Sequence, residues 1–194
     1  MIKLAILASG NGTNAQRISE YFAHHDKVQV ACIIYNRKDA YVAERARRLG
    51  VPSQYFGRAD FYDNGRVLQY LRDQHIDWVI LAGFLWLVPE DILNAFPGRV
   101  INIHPALLPK YGGKGMFGEH VHEAVIAHHE TESGITIHLV DQHYDRGTTL
   151  FQAKCQLTDQ DTPETLAAKI HQLEQQHFPL IIEQTVLPTA PRPQ

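Results

Sequence analysis

The sequence predicts a doubly wound α/β fold, a mostly parallel sheet with an antiparallel strand pair at its C-terminal end. Three observations predict it. Short, densely aliphatic runs recur at 2–8, 28–36, 77–85 and 99–105, helical patterns of comparable length separate them, and two late runs follow each other across a short polar turn. Parallel strands require crossover connections, and right-handed crossovers distribute the helices around the sheet. The 194 residues, 44% hydrophobic and 20% charged, suffice for one good-sized core. The expected organisation is a single domain over 1–186, followed by a Pro-rich tail, 187–194, that frays.

"IKLAILA" (2–8) reads as a buried strand by its aliphatic density, and "SGNGTN" breaks it before a helical pattern from Asn14 to His24. "VQVACIIYN" (28–36) is the second strand. In "DAYVAERARRLG" the sequence predicts a helix with Asp39 as N-cap, Glu44 and Arg48 paired at i,i+4, and Gly50 as its stop. "VPSQYF" is a short strand whose Pro52 suits a start or an edge. Asp60 to His75 reads as one helix, "DWVILAGFL" (77–85) as the most continuous apolar strand, and Pro89 opens a short helix. After "RVINIHP" the rhythm changes: a helix at 119–129 precedes strands at 133–141 and 148–157, which form a hairpin. Thr162 and Thr165 supply a cap to the last helix, with Pro163 at its first position.

Composition narrows the function classes. A formal net charge of −3 and a pI near 6.4 leave no basic footprint for nucleic acid. The N-terminal apolar run of about seven residues is too short for a signal peptide. No run approaches the roughly 18 apolar residues of a membrane span. The expectation is a soluble, cytoplasmic protein, with its oligomeric state left open. Cys32 and Cys155 lie in strand-like runs without CxxC spacing and read as small buried hydrophobes.

Two segments carry chemistry. "SGNGTN" (9–14) joins a first strand to a first helix, where backbone N–H groups and the helix dipole favour an anion and glycines admit a phosphate closely. It is neither GxxxxGK[ST] nor GxGxxG, so triphosphate and dinucleotide readings lose ground. In "INIHP", period-two alternation places Asn102 and His104 on one strand face and Ile101 and Ile103 on the other. At the carboxyl end of a strand both polar side chains point into the mouth of a site. An Asn amide can donate to a developing oxyanion, and His suits proton transfer near neutrality.

Such a histidine calls for a carboxylate. "VDQHYDRG" offers Asp141 and Asp145, and spacing alone does not choose between them. Leu85, Trp86, Leu87 and Val88 form an apolar lip beyond a strand end, suited to a flat heteroaromatic ligand read by main-chain hydrogen bonds. The histidines of "EHVHEAVIAHH" lack HExxH, and His120 and His122 would project roughly 200° apart on a helix. The expectation is therefore no metal.

The segments "ILASGNGTN", "LAGFLWLVP", "INIHPALLPKYGG", "SGITIHLVDQHYDRG" and "EQQHFPLI" together resemble the phosphoribosylglycinamide formyltransferases, over about residues 2–182 and in consistent order. The resemblance implies a Rossmann-like formyltransferase fold and transfer of a formyl group from 10-formyltetrahydrofolate to the amine of 5-phosphoribosylglycinamide, in purine biosynthesis. It implies Asn102, His104 and Asp145 as the catalytic group, with Asp145 preferred over Asp141. Gly12, Thr13 and Asn14 match the family's phosphate-binding turn, and Glu174 matches the acidic residue that holds the glycinamide. Leu85 to Val88 match the pterin-side segment, joined by Asn102, and Arg58 matches the folate-contacting arginine if a one-residue shift is allowed.

The chain departs from the family's pattern between "LLPKY" and "HVHEAV". The family commonly runs there through one proline and one glycine, whereas "GGKGMFGEH" is longer and holds four glycines. Rival readings are a deformylase using the same three residues, although those enzymes usually carry an N-terminal regulatory domain and the first strand here starts at Ile2, and a folate- or phosphate-binding module without catalysis. An initiator-tRNA transferase ranks lower, since it calls for a C-terminal domain and a basic surface.

Overall fold

The computed structural model describes residues 1–142, 145 and 147–187. Seven strands form one sheet in the order β3-β2-β1-β4-β5-β6-β7: β1 (Ile2–Ala8), β2 (Val28–Tyr35), β3 (Ser53–Tyr55), β4 (Trp78–Leu81), β5 (Val100–His104), β6 (Glu132–Leu139) and β7 (Thr149–Gln156). β1 to β5 run parallel, and β6 and β7 are antiparallel additions. The predicted doubly wound sheet with a terminal antiparallel pair is the observed one. Chain order reverses direction at β1, whose neighbours are β2 and β4, so the crevice beyond their carboxyl ends is the topological switch point.

Alternation along the strands builds two cores. Leu4, Ile6 and Ala8 of β1 face one side with Ile101 and Ile103 of β5. There they pack against α1 (Thr13–Phe22), α2 (Val42–Leu49), α6 (Glu119–Ala127) and α7 (Pro163–Val186) through residues such as Ile18, Val42, Val125 and Phe178. Ala5, Leu7 and Val100 face the other side. They meet Phe61 of α3 (Arg58–Tyr62), Val67 and Leu71 of α4 (Arg66–Asp73) and Ile92 of α5 (Glu90–Ala95). Each such buried aliphatic side chain contributes about 1.5–3 kcal/mol relative to exposure.

Three local expectations need correction. Asp39 does not cap α2: it lies in an exposed turn beside Arg37, and the helix begins at Val42, whose N–H donates to Gly10 O at 3.1 Å. A long-range bond thus sets the start of that helix. Asp60 to His75 is two helices, because Gly65 at φ +65° breaks the path between α3 and α4. The fourth strand stops at Leu81 rather than continuing to residue 85. Gly83 turns at φ +71°, its carbonyl accepts from Ser9 N at 3.0 Å, and the buried Ser9 hydroxyl accepts from Leu85 N at 2.9 Å.

The cap on α7 is as expected, with Thr162 and Thr165 exchanging hydrogen bonds and Pro163 at the start. Pro179 sits inside α7 and cannot donate to the carbonyl four residues back. Arg17 of α1 supplies the replacement, donating Nε to Gln175 O at 3.2 Å. In the turn between β6 and β7, His143, Tyr144 and Arg146 lie outside the described residues, as does 188–194 of the Pro-rich tail. Among the described residues no helix is long and apolar enough to cross a membrane.

Candidate active site

A cavity of about 690 Å³ opens beyond the carboxyl ends of β1, β4 and β5. Its walls include the segment 83–88, the strand end Asn102–Pro105, the glycine-rich loop 113–118, and Ile170, His171 and Glu174 of α7; Asn14, His122, His138 and Asp145 also line it. The floor follows from the phase of "INIHP". Ile101 and Ile103 are committed to one core, so Asn102 and His104 must face the opposite side.

His104 is nearly enclosed, with its side chain 5% exposed. Its Nε2 lies 2.7 Å from Tyr111 O, a group that only accepts, so Nε2 carries the hydrogen. Nδ1 then presents its lone pair toward Asp145 Oδ2, 3.6 Å away. Burial pushes the His104 imidazole below the ordinary histidine value, against the opposing pull of Asp145 and of the Tyr111 carbonyl. Burial by itself would raise the Asp145 carboxyl, but its polar surroundings, the Gly113 N–H among them, hold it below the usual carboxylate value. Gly113 N donates to Asp145 Oδ2 at 3.0 Å. The pair is therefore a neutral base facing an ionised carboxylate, ready to accept one proton.

Across the antiparallel β5–β6 register, Asn102 stands directly opposite His138. His138 Nδ1 lies 3.0 Å from Leu139 O, which leaves Nε2 to accept from Asn102 Nδ2 at 3.1 Å. His138 thereby fixes the flip of the Asn102 amide and keeps its second N–H available for a ligand oxygen. At 3.6 Å its Nε2 also borders Asp145 Oδ1.

At the other end, Asn14 Nδ2 donates to Glu174 Oε2 at 2.8 Å, and Gln175 Nε2 donates to Asn14 Oδ1 at 2.8 Å. His171 approaches the same carboxylate at 3.7 Å, and that contact raises its imidazole pKa. The adjoining turn depends on glycine. Gly12 has φ +77°, and a Cβ there would meet Val42 Cγ2 at 2.4 Å. Arg45 braces the turn from outside, donating to the main-chain and side-chain oxygens of Asn11.

Over residues 2–182 the sequence matches the formyl transferase family. The chain belongs to that family. It is 34% identical over 188 residues to the phosphoribosylglycinamide formyltransferase of Haemophilus influenzae, covering 94% of this chain and 86% of that one. It is 40% identical over 181 residues to the chloroplastic phosphoribosylglycinamide formyltransferase of Arabidopsis thaliana, covering 90% of this chain. The chain spans 61% of the length of that plant relative and 60% of the corresponding one from Vigna unguiculata. The crystal structure of phosphoribosylglycinamide formyltransferase from Bacillus halodurans superposes with a TM-score of 0.87 at 33% identity, over 97% of each chain.

Asn102, His104, Asp145, Asn14, Glu174 and the segment from Leu85 to Val88 line one cavity. Gly12 and Thr13 lie beside it at the start of α1, outside its lining. Arg58 is also outside the lining and sits 4.9 Å over the Tyr62 ring, while the Tyr62 hydroxyl donates to Leu87 O at 2.7 Å. His120 and His122 both belong to α6 and diverge as the helical angle requires. His120 is exposed beside Glu123, whereas His122 is buried at the cavity and its imidazole pKa is lowered by burial. Among the described residues no group of three or more His, Cys, Asp or Glu is placed to hold a metal.

Sequence reasoning missed His138, Tyr111 and Gly113. A signal for His138 existed: in "SGITIHLV" Thr136 and His138 alternate with isoleucines as Asn102 and His104 do. For Tyr111 and Gly113 the contacts are main-chain groups, which side-chain chemistry does not announce.

Proposed function

We propose that this formyl transferase moves the formyl group of 10-formyltetrahydrofolate to the amine of 5-phosphoribosylglycinamide. One observation carries the reading: Asn102, His104 and Asp145 share a cavity with Asn14 and Glu174, so an acyl-transfer group and an amine-binding carboxylate face the same space. The names of the Haemophilus and Arabidopsis relatives support it.

The ribonucleotide phosphate takes the α1 N-terminus at Gly12, Thr13 and Asn14, where unpaired N–H groups and the helix dipole favour an anion. Glu174, oriented by Asn14, receives the glycinamide end. The pteridine lies along Leu85 to Val88, a segment steadied by the Leu85 bond to Ser9 and the Leu87 bond to Tyr62. Arg58 acts on that end through the Tyr62 ring.

The neutral amine attacks the formyl carbon, and the carbonyl electron pair moves onto oxygen. The free N–H of Asn102 donates to that oxyanion, while His138 holds the amide in position. His104 Nδ1 takes the proton released by the amine, and Asp145 stabilises the imidazolium. When the oxyanion collapses, the bond to the folate nitrogen breaks and His104 returns its proton to that nitrogen. Products are the formylated ribonucleotide and tetrahydrofolate. Every proton and electron pair is accounted for, so the chemistry calls on no metal. Cytoplasmic placement belongs to the same proposal, in line with the bacterial relative.

Purified protein incubated with 10-formyltetrahydrofolate should release tetrahydrofolate only when the ribonucleotide is added. Release without the amine identifies a hydrolase instead, and no release in either case leaves a binding role.

A further inference from the structure

Tyr111 occupies a backbone conformation that its own side chain disfavours. Its φ is +56°, the left-handed region that bulky L residues rarely adopt, although two glycines follow it immediately. A side chain retained there needs a compensating role. The Tyr111 hydroxyl donates to Glu130 Oε1 at 2.9 Å, and Lys110 Nζ reaches the same oxygen at 2.9 Å. The ring meets His128 edge-on at 5.7 Å and packs against the larger core. Burial and the bond to Glu130 push the phenol up to about 12, so it remains a donor at every physiological pH.

That anchor has a catalytic address. The carbonyl of the same residue is 2.7 Å from His104 Nε2, and two residues on the Gly113 N–H holds the Asp145 oxygen that faces His104 Nδ1. Three consecutive residues thus bracket the His104–Asp145 pair from both sides. Gly112, between them, sits close to both walls: a Cβ there would meet Leu108 Cδ2 at 2.5 Å, displacing the end of that side chain, and Asp145 Cβ at 3.3 Å. None of Lys110, Tyr111 and Glu130 lines the substrate cavity; all three border a separate depression of about 200 Å³.

We propose that Tyr111 is a positioning residue for His104. Its phenol, tied to Glu130, holds the backbone turn that aims the residue-111 carbonyl at Nε2 and leaves Nδ1 as the proton acceptor. In its catalytic consequence this rests on the formyl-transfer reading, while the control of tautomer concerns the free protein and stands apart from it.

The test uses Tyr111→Phe and Glu130→Ala, which cut the anchor from either end, and Glu130→Gln, which keeps an oxygen that can accept from the phenol. Nitrogen-15 NMR of His104 in the free protein should show the Nε2–H tautomer in the parent and in Glu130→Gln. A mixture of tautomers is expected in the other two. Losing the Tyr111 bond, which favours the charged imidazole, should also lower the His104 titration midpoint further. In turnover, kcat should fall about tenfold in Tyr111→Phe and Glu130→Ala, with KM for both substrates within twofold of the parent. An unchanged tautomer in both cut variants overturns the proposal, whatever happens to activity. If the tautomer changes and no variant or parent transfers formyl groups, the positioning role stands and the formyl-transfer reading fails.

Discussion

His104 Nδ1 and Asp145 Oδ2 face each other across 3.6 Å, with the imidazole neutral and the carboxylate ionised. Two acceptors at that separation do not bond until a proton arrives. The pair is thus set to take up one proton between its two acceptors.

Removing the imidazole should abolish that step without emptying the cavity. His104→Ala is expected to lower kcat by about 10³-fold, within the range general acid–base groups contribute. Ribonucleotide and folate affinities measured by calorimetry should stay within a few-fold. A His104→Ala enzyme with near-parent kcat would remove His104 from the mechanism.

The pH dependence has a defined sign. His104 must be neutral to accept the proton and its pKa is lowered, so the acid limb of kcat should lie below the ordinary histidine value of about 6.5. Stability follows the same direction. For His104 and His122, both depressed by burial, the unfolded chain binds protons first as pH falls. Their contribution is complete above about pH 6.5 and is lost as pH drops through the folded-state values. His171, raised by Glu174, works the other way: its contribution is full below about pH 6.5 and is lost as pH rises through its folded value. It is 45% exposed and weighs less. Urea midpoints should therefore fall between pH 7.5 and 5.5, less steeply in His122→Gln; a flat profile contradicts the buried neutral histidines.

Gly12→Ala combines a left-handed backbone with a 2.4 Å approach to Val42. The expected cost is about 1–3 kcal/mol by denaturant titration. Because the turn precedes the α1 N-terminus, ribonucleotide KM should rise at least tenfold while folate KM holds. Equal loss for both substrates would count against a phosphate role for this turn.

Arg17 compensates for a proline seventeen residues into α7. Arg17→Met should leave Gln175 O without its donor and cost about 1 kcal/mol, read as a lowered urea midpoint. Replacing Pro179 by Ala in the same background restores the helical donor and should return most of that loss. No recovery in the double variant would show that Arg17 acts elsewhere.

Much of this was legible in the linear sequence. The alternation of Ile101 and Ile103 with Asn102 and His104 set which side chains entered the site, because strand period is a property of the backbone itself. The same holds for the strand–helix rhythm and for the Thr162 cap, each decided within a few residues. The resemblance to formyl transferases then singled out Asp145, which the residues alone had left level with Asp141.

Tertiary structure decided what depends on pairing between distant segments. His138 meets Asn102 only because β6 adds antiparallel to β5 in one register. α2 starts at Val42 rather than at the cap-forming Asp39 because a carbonyl thirty-two positions earlier, at Gly10, claims its N–H. β4 ends at Leu81 because Ser9 ties down the chain beyond it. Sequence period fixes the face a residue presents; only the long-range hydrogen bonds fix what it faces, and at this site that separates a lone histidine from a base set against a carboxylate.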